Sequence, residues 1–268
     1  EEVGSAGMDT WLAALSYGAS ALWLLVTPGV PVSVMTAIEA QVNIARAILE
    51  GMGYPAEVLQ ISGPDAGALS QLFDSRLPVF AADYAEFAAL DEKRTVIRLA
   101  VDHLYEQAPA PRPLVSLPAG SPFGEVEISA ERCTLCMACV SQCPANALSA
   151  GDEKPQLKFI EANCVQCGLC CRSCPEDAIA ASPRFLYDAA KRNRMRVLHE
   201  EEPFCCIHCG KAFATRSVID RITQKMKGHP MFSGDALARI SLCDDCRVKA
   251  IYGGEQAGHA GISSGENQ

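Results

Sequence analysis

Two stretches of this sequence, CTLCMACVSQCPANAL beginning at Cys133 and CVQCGLCCRSCPEDAI beginning at Cys164, align so that every cysteine of the first meets a cysteine of the second. Both read C-x-x-C-x-x-C-x-x-x-C-P, which marks an internal duplication. Three thiolates at three-residue steps can converge on one metal–sulfur cluster, and a fourth follows on a turn ended by proline. The second copy holds a fifth cysteine, Cys171. It aligns with Val140, and using it in place of Cys170 would break the spacing kept by the first copy, so Cys171 reads as a small buried hydrophobe.

This spacing resembles that of the bacterial two-cluster ferredoxins. The resemblance implies an α+β domain with two 4Fe–4S clusters, one held by Cys133, Cys136, Cys139 and Cys174 and the other by Cys164, Cys167, Cys170 and Cys143. Paired clusters imply a relay of single electrons between redox partners. The sequence offers no Ser-His-Asp set, Walker loop or His-Glu-x-x-His motif beside them.

A third cysteine group follows. Cys206-x-x-Cys209 and Cys243-x-x-Cys246 are two knuckles separated by 33 residues, the arrangement of a tetrahedral four-sulfur site. Structural zinc is the first expectation, with iron in a rubredoxin-like site next and no metal last. Cys205 is out of phase and reads as a second passenger. Four cysteines already fill the shell, which leaves His208 and His229 beside the site or on the surface. On this reading the site is redox-silent and holds its own segment together.

The elements that must position these residues are readable in outline. EVEIS and LKFIE are strands leading into the first cysteine of each copy. FATRSVIDRITQKMKG reads as a helix packed under the knuckles, with Val218, Ile222 and Met226 on one face. Arg184, Lys191, Arg192, Arg194 and Arg196 form a basic strip, read as a solvated helix face or as a docking surface for an acidic donor. Upstream, MDTWLAALSYGA reads as a helix capped by Asp9, SALWLLV as a short buried strand, residues 33–53 as a long helix capped by Ser33, and AEVLQIS as a second strand. Residues 90–107 add an amphipathic helix. Strand, helix and strand in that order predict an α/β domain with a parallel sheet.

The expected division is an α/β domain at 1–107, a proline-rich linker at 108–122, a ferredoxin domain at 123–183, a helix with a small four-cysteine knuckle at 184–253 and a disordered tail at 254–268, which includes His259. The chain begins Glu1-Glu2 without methionine, which suggests a fragment of a longer protein. GSAG at residues 4–7 lacks G-x-G-x-x-G and sets Asp9 at a helix N-terminus, which disfavours a nucleotide phosphate.

Composition narrows the partners. A formal charge of −9 opposes nucleic-acid binding, since phosphates repel an acidic surface. All 14 cysteines follow residue 132 in metal-ligand spacing rather than as a disulfide framework, which suits a reducing cytoplasm. The charge-free run at residues 10–38 is interrupted by Gly18, Pro28, Gly29 and Pro31, so no membrane span is expected there.

Two further resemblances bear on function. The stretch from Asp9 to Gly18-Ala19, with the following strand and helix, resembles the delta subunit of methyl-viologen-reducing hydrogenases, which implies the fold; the cysteines of that family are missing here, since none precedes Cys133. CGKAFATRSVIDRI together with LCDDCRVKAIY resembles the C-terminal part of multi-domain ferredoxin-like proteins found with proteobacterial formate dehydrogenases and their TorD-type chaperones. That implies service to a formate dehydrogenase or another molybdenum enzyme. Three classes remain open: an electron carrier, a subunit of a flavin- or metal-dependent oxidoreductase, and an assembly factor with structural clusters.

Overall fold

The computed structural model describes residues 2–63, 83–88 and 92–252. The tail expected at 254–268 and the start of the helix expected at 90–107 lie outside the described residues. The chain forms two compact units. One comprises the described residues up to Glu125, with Glu161–Cys167 and Ala181–Arg194; the other comprises Val126–Ile160, Gly168–Ala180 and the described residues from Met195 on.

In the first unit, helix α1 (Met8–Ser16) buries Trp11, Leu12 and Leu15. Its N-cap is Gly7, not Asp9; Asp9 sits in the first turn, where its charge faces the positive end of the helix dipole. Strand β1 (Leu22–Leu25), helix α2 (Val32–Gly51) and strand β2 (Leu59–Ser62) form the expected β-α-β crossover, with β1 and β2 parallel and Leu22 opposite Leu59. Among the described residues the parallel sheet has these two strands, and β1 is half-buried rather than buried, with Leu25 49% exposed. Pro31 rather than Ser33 caps α2, because its extended backbone already sets the entry.

By length and composition α2 could cross a membrane. Ile38, Val42, Ala45, Ile48 and Leu49 instead pack into the apolar core of this unit with Leu12, Leu15, Leu59 and Val101. Helix α3 (Lys93–Glu106) adds Ile97, Ala100 and Leu104 to the same core.

Residues 108–122 carry strand β3 (Leu114–Ser116), which pairs antiparallel with residues 184–186, and Ser121 and Leu117 are buried. Phe123, Phe185 and Tyr187 complete the core. Tyr187 stacks on Tyr105 with centroids 4.7 Å apart and donates its hydroxyl hydrogen to the Ile48 carbonyl at 2.5 Å. Gly51 makes this approach possible, since a Cβ there would lie 2.2 Å from the Tyr187 hydroxyl oxygen.

Strand β4 (Gly124–Ile128) leads into the first cysteine motif and helix α4 (Ala138–Ser141) lies within it. In the second unit β5 (Leu148–Ala150) and β6 (Gln156–Phe159) pair antiparallel, burying Leu148, Leu157 and Phe159. Helix α5 (Leu169–Ser173) carries the later cysteines of the second motif. Strand β7 (Ile179–Leu186) is central in the order β3-β7-β4, and the short helix α6 (Ala189–Asn193) follows in the first unit. Strand β8 (Arg196–Glu200) joins β6 on the side away from β5.

The expected basic strip is dismantled. Arg184 bridges Glu161 and Glu125, and Arg192, 4% exposed, donates from its Nη2 to both carboxylate oxygens of Asp102 at 2.7 and 2.9 Å. Arg196 lies over the Phe159 ring. A guanidinium reaches carbonyls and carboxylates inside a fold that a sequence reading assigns to solvent, so Lys191 and Arg194 alone of the five remain exposed.

The last segment forms a hairpin, β9 (Pro203–Cys205) with β10 (Ala212–Thr215), then helices α7 (Arg216–Met226), α8 (Asp235–Ala238) and α9 (Asp244–Tyr252). Val218, Ile222 and Met226 share a face of α7 as expected. That face lines an open apolar cavity with Phe232, Ile240 and Ile251, and the helix packs against the hairpin that carries the first knuckle.

The close approach at Gly51 generates a stability test. Gly51→Ala should lower the urea midpoint by the equivalent of about 1–3 kcal/mol, the usual cost of overpacking. Combined with Tyr187→Phe, the loss should fall short of the sum of the two single losses, because the phenol oxygen that clashes is gone. Strict additivity would show that the contact is not made.

Candidate metal centres

Cys133, Cys136, Cys139 and Cys174 line one small cavity with Leu135, Leu157 and Ile179. The backbone explains how short loops bring sulfurs together. Leu135 (φ 54°) and Met137 (φ 61°) are left-handed, and their counterparts in the second copy, Gln166 (φ 53°) and Gly168 (φ 71°), repeat the pattern. So do Asn146 (φ 49°) and Asp177 (φ 47°) after each proline. Alternating handedness turns successive N–H groups toward one side, a concavity suited to anionic sulfur. The non-glycine positions cost roughly 1–2 kcal/mol each, strain that such sites hold against a bound group.

Backbone donors reach the fourth cysteine of each copy in the same way. The Ala147 N–H donates to Cys143 Sγ at 3.3 Å and the Ala178 N–H to Cys174 Sγ at 3.3 Å. Burial pushes the Cys139 thiol up to about 11, reinforced by the neighbouring Cys133 and Cys136 sulfurs. Cys133 is raised as well, with burial again the largest cause. Crowded, desolvated thiols keep their protons unless a cation replaces them, so this donor set fits an iron–sulfur cluster and poorly fits four free thiolates.

The other four cysteines are set on different elements. Cys164 and Cys167 belong to the first unit, and Cys143 and Cys170 to the second. Cys164 is buried and Cys167 exposed. Around Cys164, the Gln166 amide donates to Cys164 Sγ at 3.4 Å and to the Glu125 carbonyl at 3.0 Å. Arg94 on α3 donates to the carbonyls of Pro122 at 2.7 Å, Ala162 at 3.3 Å and Cys164. Its guanidinium lies 4.5 Å from the centroid of Phe123. Burial lowers the Arg94 pKa to about 10, which still leaves it charged at neutral pH. Cys170 and Cys171 are both half-buried on α5, so exposure does not separate ligand from passenger.

The ligand atoms of Cys206, Cys209, Cys243 and Cys246 all lie within 4.8 Å of one another. Cys209 and Cys243 sulfurs are 3.6 Å apart, near the edge of about 3.8 Å that a tetrahedron with metal–sulfur bonds of about 2.3 Å requires. Left-handed Gly210 (φ 75°) closes the first knuckle, its N–H donating to the Cys206 carbonyl at 2.9 Å. Burial works to raise the Cys206 pKa, but donation from the backbone of Cys243, Cys209 and His208 prevails and lowers it. Cys246 moves up, through its contact with Cys209 first and burial second. His208 stays exposed with Nδ1 3.5 Å from Cys246 Sγ, beside the site as expected. Cys205 is exposed on β9, outside the group.

Sequence reasoning missed the residues that tie this segment to the first cysteine loop. Thr215 is 5% exposed; its hydroxyl donates to the Thr134 carbonyl at 3.0 Å and accepts from the Val218 N–H as the α7 cap. Glu176, just after Cys174-Pro175, pairs with Arg221 at 3.1 Å and with Lys225 at 3.7 Å, both on α7. The knuckle segment therefore supports more than itself. Thr215 before a helical pattern was legible as a cap, whereas nothing in the sequence pointed it at Thr134.

Thr215→Val should destabilise the protein by about 1–2 kcal/mol, the worth of a cap and a buried hydrogen bond. Thr215→Ser should retain most of that stability in urea denaturation. Equal losses in both would show that the hydroxyl bonds are not what Thr215 contributes.

Residues 132–178 match the family model described as the 4Fe-4S dicluster domain. No curated protein sequence matches the chain. The match covers both cysteine motifs described above and stops before the knuckle segment, so residues 132–178 are a ferredoxin-type iron–sulfur module.

Proposed function

We propose that this protein relays single electrons through two 4Fe–4S clusters, one ligated by Cys133, Cys136, Cys139 and Cys174 and the other by Cys164, Cys167, Cys170 and Cys143. The observation that carries the reading is the convergence of Cys133, Cys136, Cys139 and Cys174 on one cavity, within a segment that matches a two-cluster family. The second set follows from the duplication, whose left-handed turns and N–H···S contacts recur at equivalent positions.

A bound cluster supplies a site that gains or loses one electron without rearrangement. The chain supplies the rest. Backbone N–H groups face the sulfurs, Leu135, Leu157 and Ile179 exclude water from the first cavity, and the exposed edges at Cys136 and Cys167 offer short paths for an electron to enter or leave. The four-cysteine knuckle site takes structural zinc on this reading, since four thiolates leave no open position for substrate.

The partner is a redox protein of the cytoplasm. Its assignment to a formate dehydrogenase or another molybdenum enzyme is supported by the resemblance of the knuckle segment, CGKAFATRSVIDRI with LCDDCRVKAIY. Reversible low-potential reduction distinguishes a relay from an assembly factor with structural clusters.

Anaerobically purified protein should contain about eight iron and eight acid-labile sulfide per chain and show two interacting EPR signals on reduction. A stoichiometry near four iron in fully loaded protein would overturn the two-cluster assignment. Cys171→Ala should keep both clusters and Cys170→Ala should lose one. The opposite pattern would show that the phase of the second motif has been misread.

Removal of the metal from the knuckle site with a zinc chelator should loosen the described residues from about Cys206 on, seen as increased proteolysis there. A red absorbance that bleaches on reduction and is lost in Cys243→Ser would place iron in this site instead.

A further inference from the structure

The duplication places two versions of one loop side by side for comparison. At the position between the first two cysteines both copies hold a left-handed residue, Leu135 in one and Gln166 in the other. Leu135 is 7% exposed and gives the first cavity an apolar wall. Gln166 places its amide 3.4 Å from Cys164 Sγ, and its bond to the Glu125 carbonyl fixes that orientation. A side-chain N–H donor to a ligand sulfur thus exists in the second copy where the first has only the Leu135 backbone N–H and a hydrocarbon side chain.

A cation also lies against the second copy's first cysteine. Arg94 sits on the Cys164 carbonyl, held there by Pro122 and Ala162 and by the Phe123 ring. Carbonyl oxygens orient this charge, and the Glu92 carboxylate beside it offsets part of it. The charged residue lining the first cavity is Glu176, an anion whose partners Arg221 and Lys225 stand on α7.

We infer that the two clusters are electrostatically unequal, and that the one ligated by Cys164 accepts an electron first because Gln166 and Arg94 raise its potential. The inference rests on the two-cluster reading above. Reduction moves one electron from a one-electron donor onto a cluster that is already anionic. No bond breaks and no proton transfer is required, so the cost is that of added negative charge. Hydrogen bonds to sulfur and nearby positive charge reduce that cost. Gln166 and Arg94 are positioning residues here: they touch a ligand cysteine rather than the reacting metal.

The test is an EPR-monitored redox titration of the whole protein with dithionite, with iron and sulfide measured on every sample. Wild type should show two separable midpoints. Gln166→Leu, which gives the second copy the side chain of the first, should lower the higher midpoint and leave the lower in place. We expect about a tenfold change in the one-electron equilibrium, or ~59 mV. Leu135→Gln should raise the lower midpoint and leave the higher. Arg94→Gln should lower the higher midpoint further than Arg94→Lys, which keeps the charge; if either Arg94 variant fails to fold, the Gln166 and Leu135 variants still decide the matter. Eight iron with both midpoints unmoved in Gln166→Leu, or with the lower one moved, would overturn this inference alone. Four iron in wild type would overturn the two-cluster reading and this inference with it.

Discussion

Sulfur anions brought within a few ångströms of one another repel, and burial worsens the repulsion by removing the water that would screen it. The cysteine loops of this protein are built around that constraint. Left-handed residues aim backbone N–H groups inward, Ala147 and Ala178 donate to the fourth sulfur of each copy, and Cys139 without a cation moves up to about 11. The four-cysteine knuckle group meets the same demand differently, with backbone donors from both knuckles converging on Cys206. In each place the geometry is favourable once a metal replaces the protons and costly before it does.

The second constraint is mechanical: loops that store strain need rigid neighbours. In the first unit those neighbours are α3 and the core beneath it, where Arg94 holds the Ala162 and Cys164 carbonyls, Arg184 holds Glu161, and Arg192 locks onto Asp102. In the second unit β10 and α7 do the same for the first loop through Thr215 and Glu176. Arg94 does this through the carbonyl of Cys164, so a side chain that holds the loop also brings a charge close to it.

Much of the metal chemistry was legible because ligand spacing is local and chemically strict. The strands at Gly124–Ile128 and Gln156–Phe159, the β-α-β crossover and α7 followed from periodicity. What escaped was set by contacts distant in sequence. Asp9 and Ser33 have the chemistry of caps, yet Gly7 and Pro31 take those places because the incoming backbone is already extended. Arg184 and Arg192 read as solvated, and burial alone reveals their partners Glu161 and Asp102. The difference between Leu135 and Gln166 was visible in the aligned motifs. The placement of the amide against Cys164 Sγ was not.

In the proposed reading, the fourth cysteines are shared crosswise between two clusters, and a separate four-sulfur site lies among Cys206, Cys209, Cys243 and Cys246. Anomalous X-ray diffraction from crystals of the anaerobic protein, collected at the iron and zinc edges, tests it most directly. The account predicts two iron clusters, one on Cys133, Cys136, Cys139 and Cys174 and one on Cys164, Cys167, Cys170 and Cys143, and a zinc peak among Cys206, Cys209, Cys243 and Cys246. Cys174 bound to the same cluster as Cys164, or a single iron cluster, would contradict it.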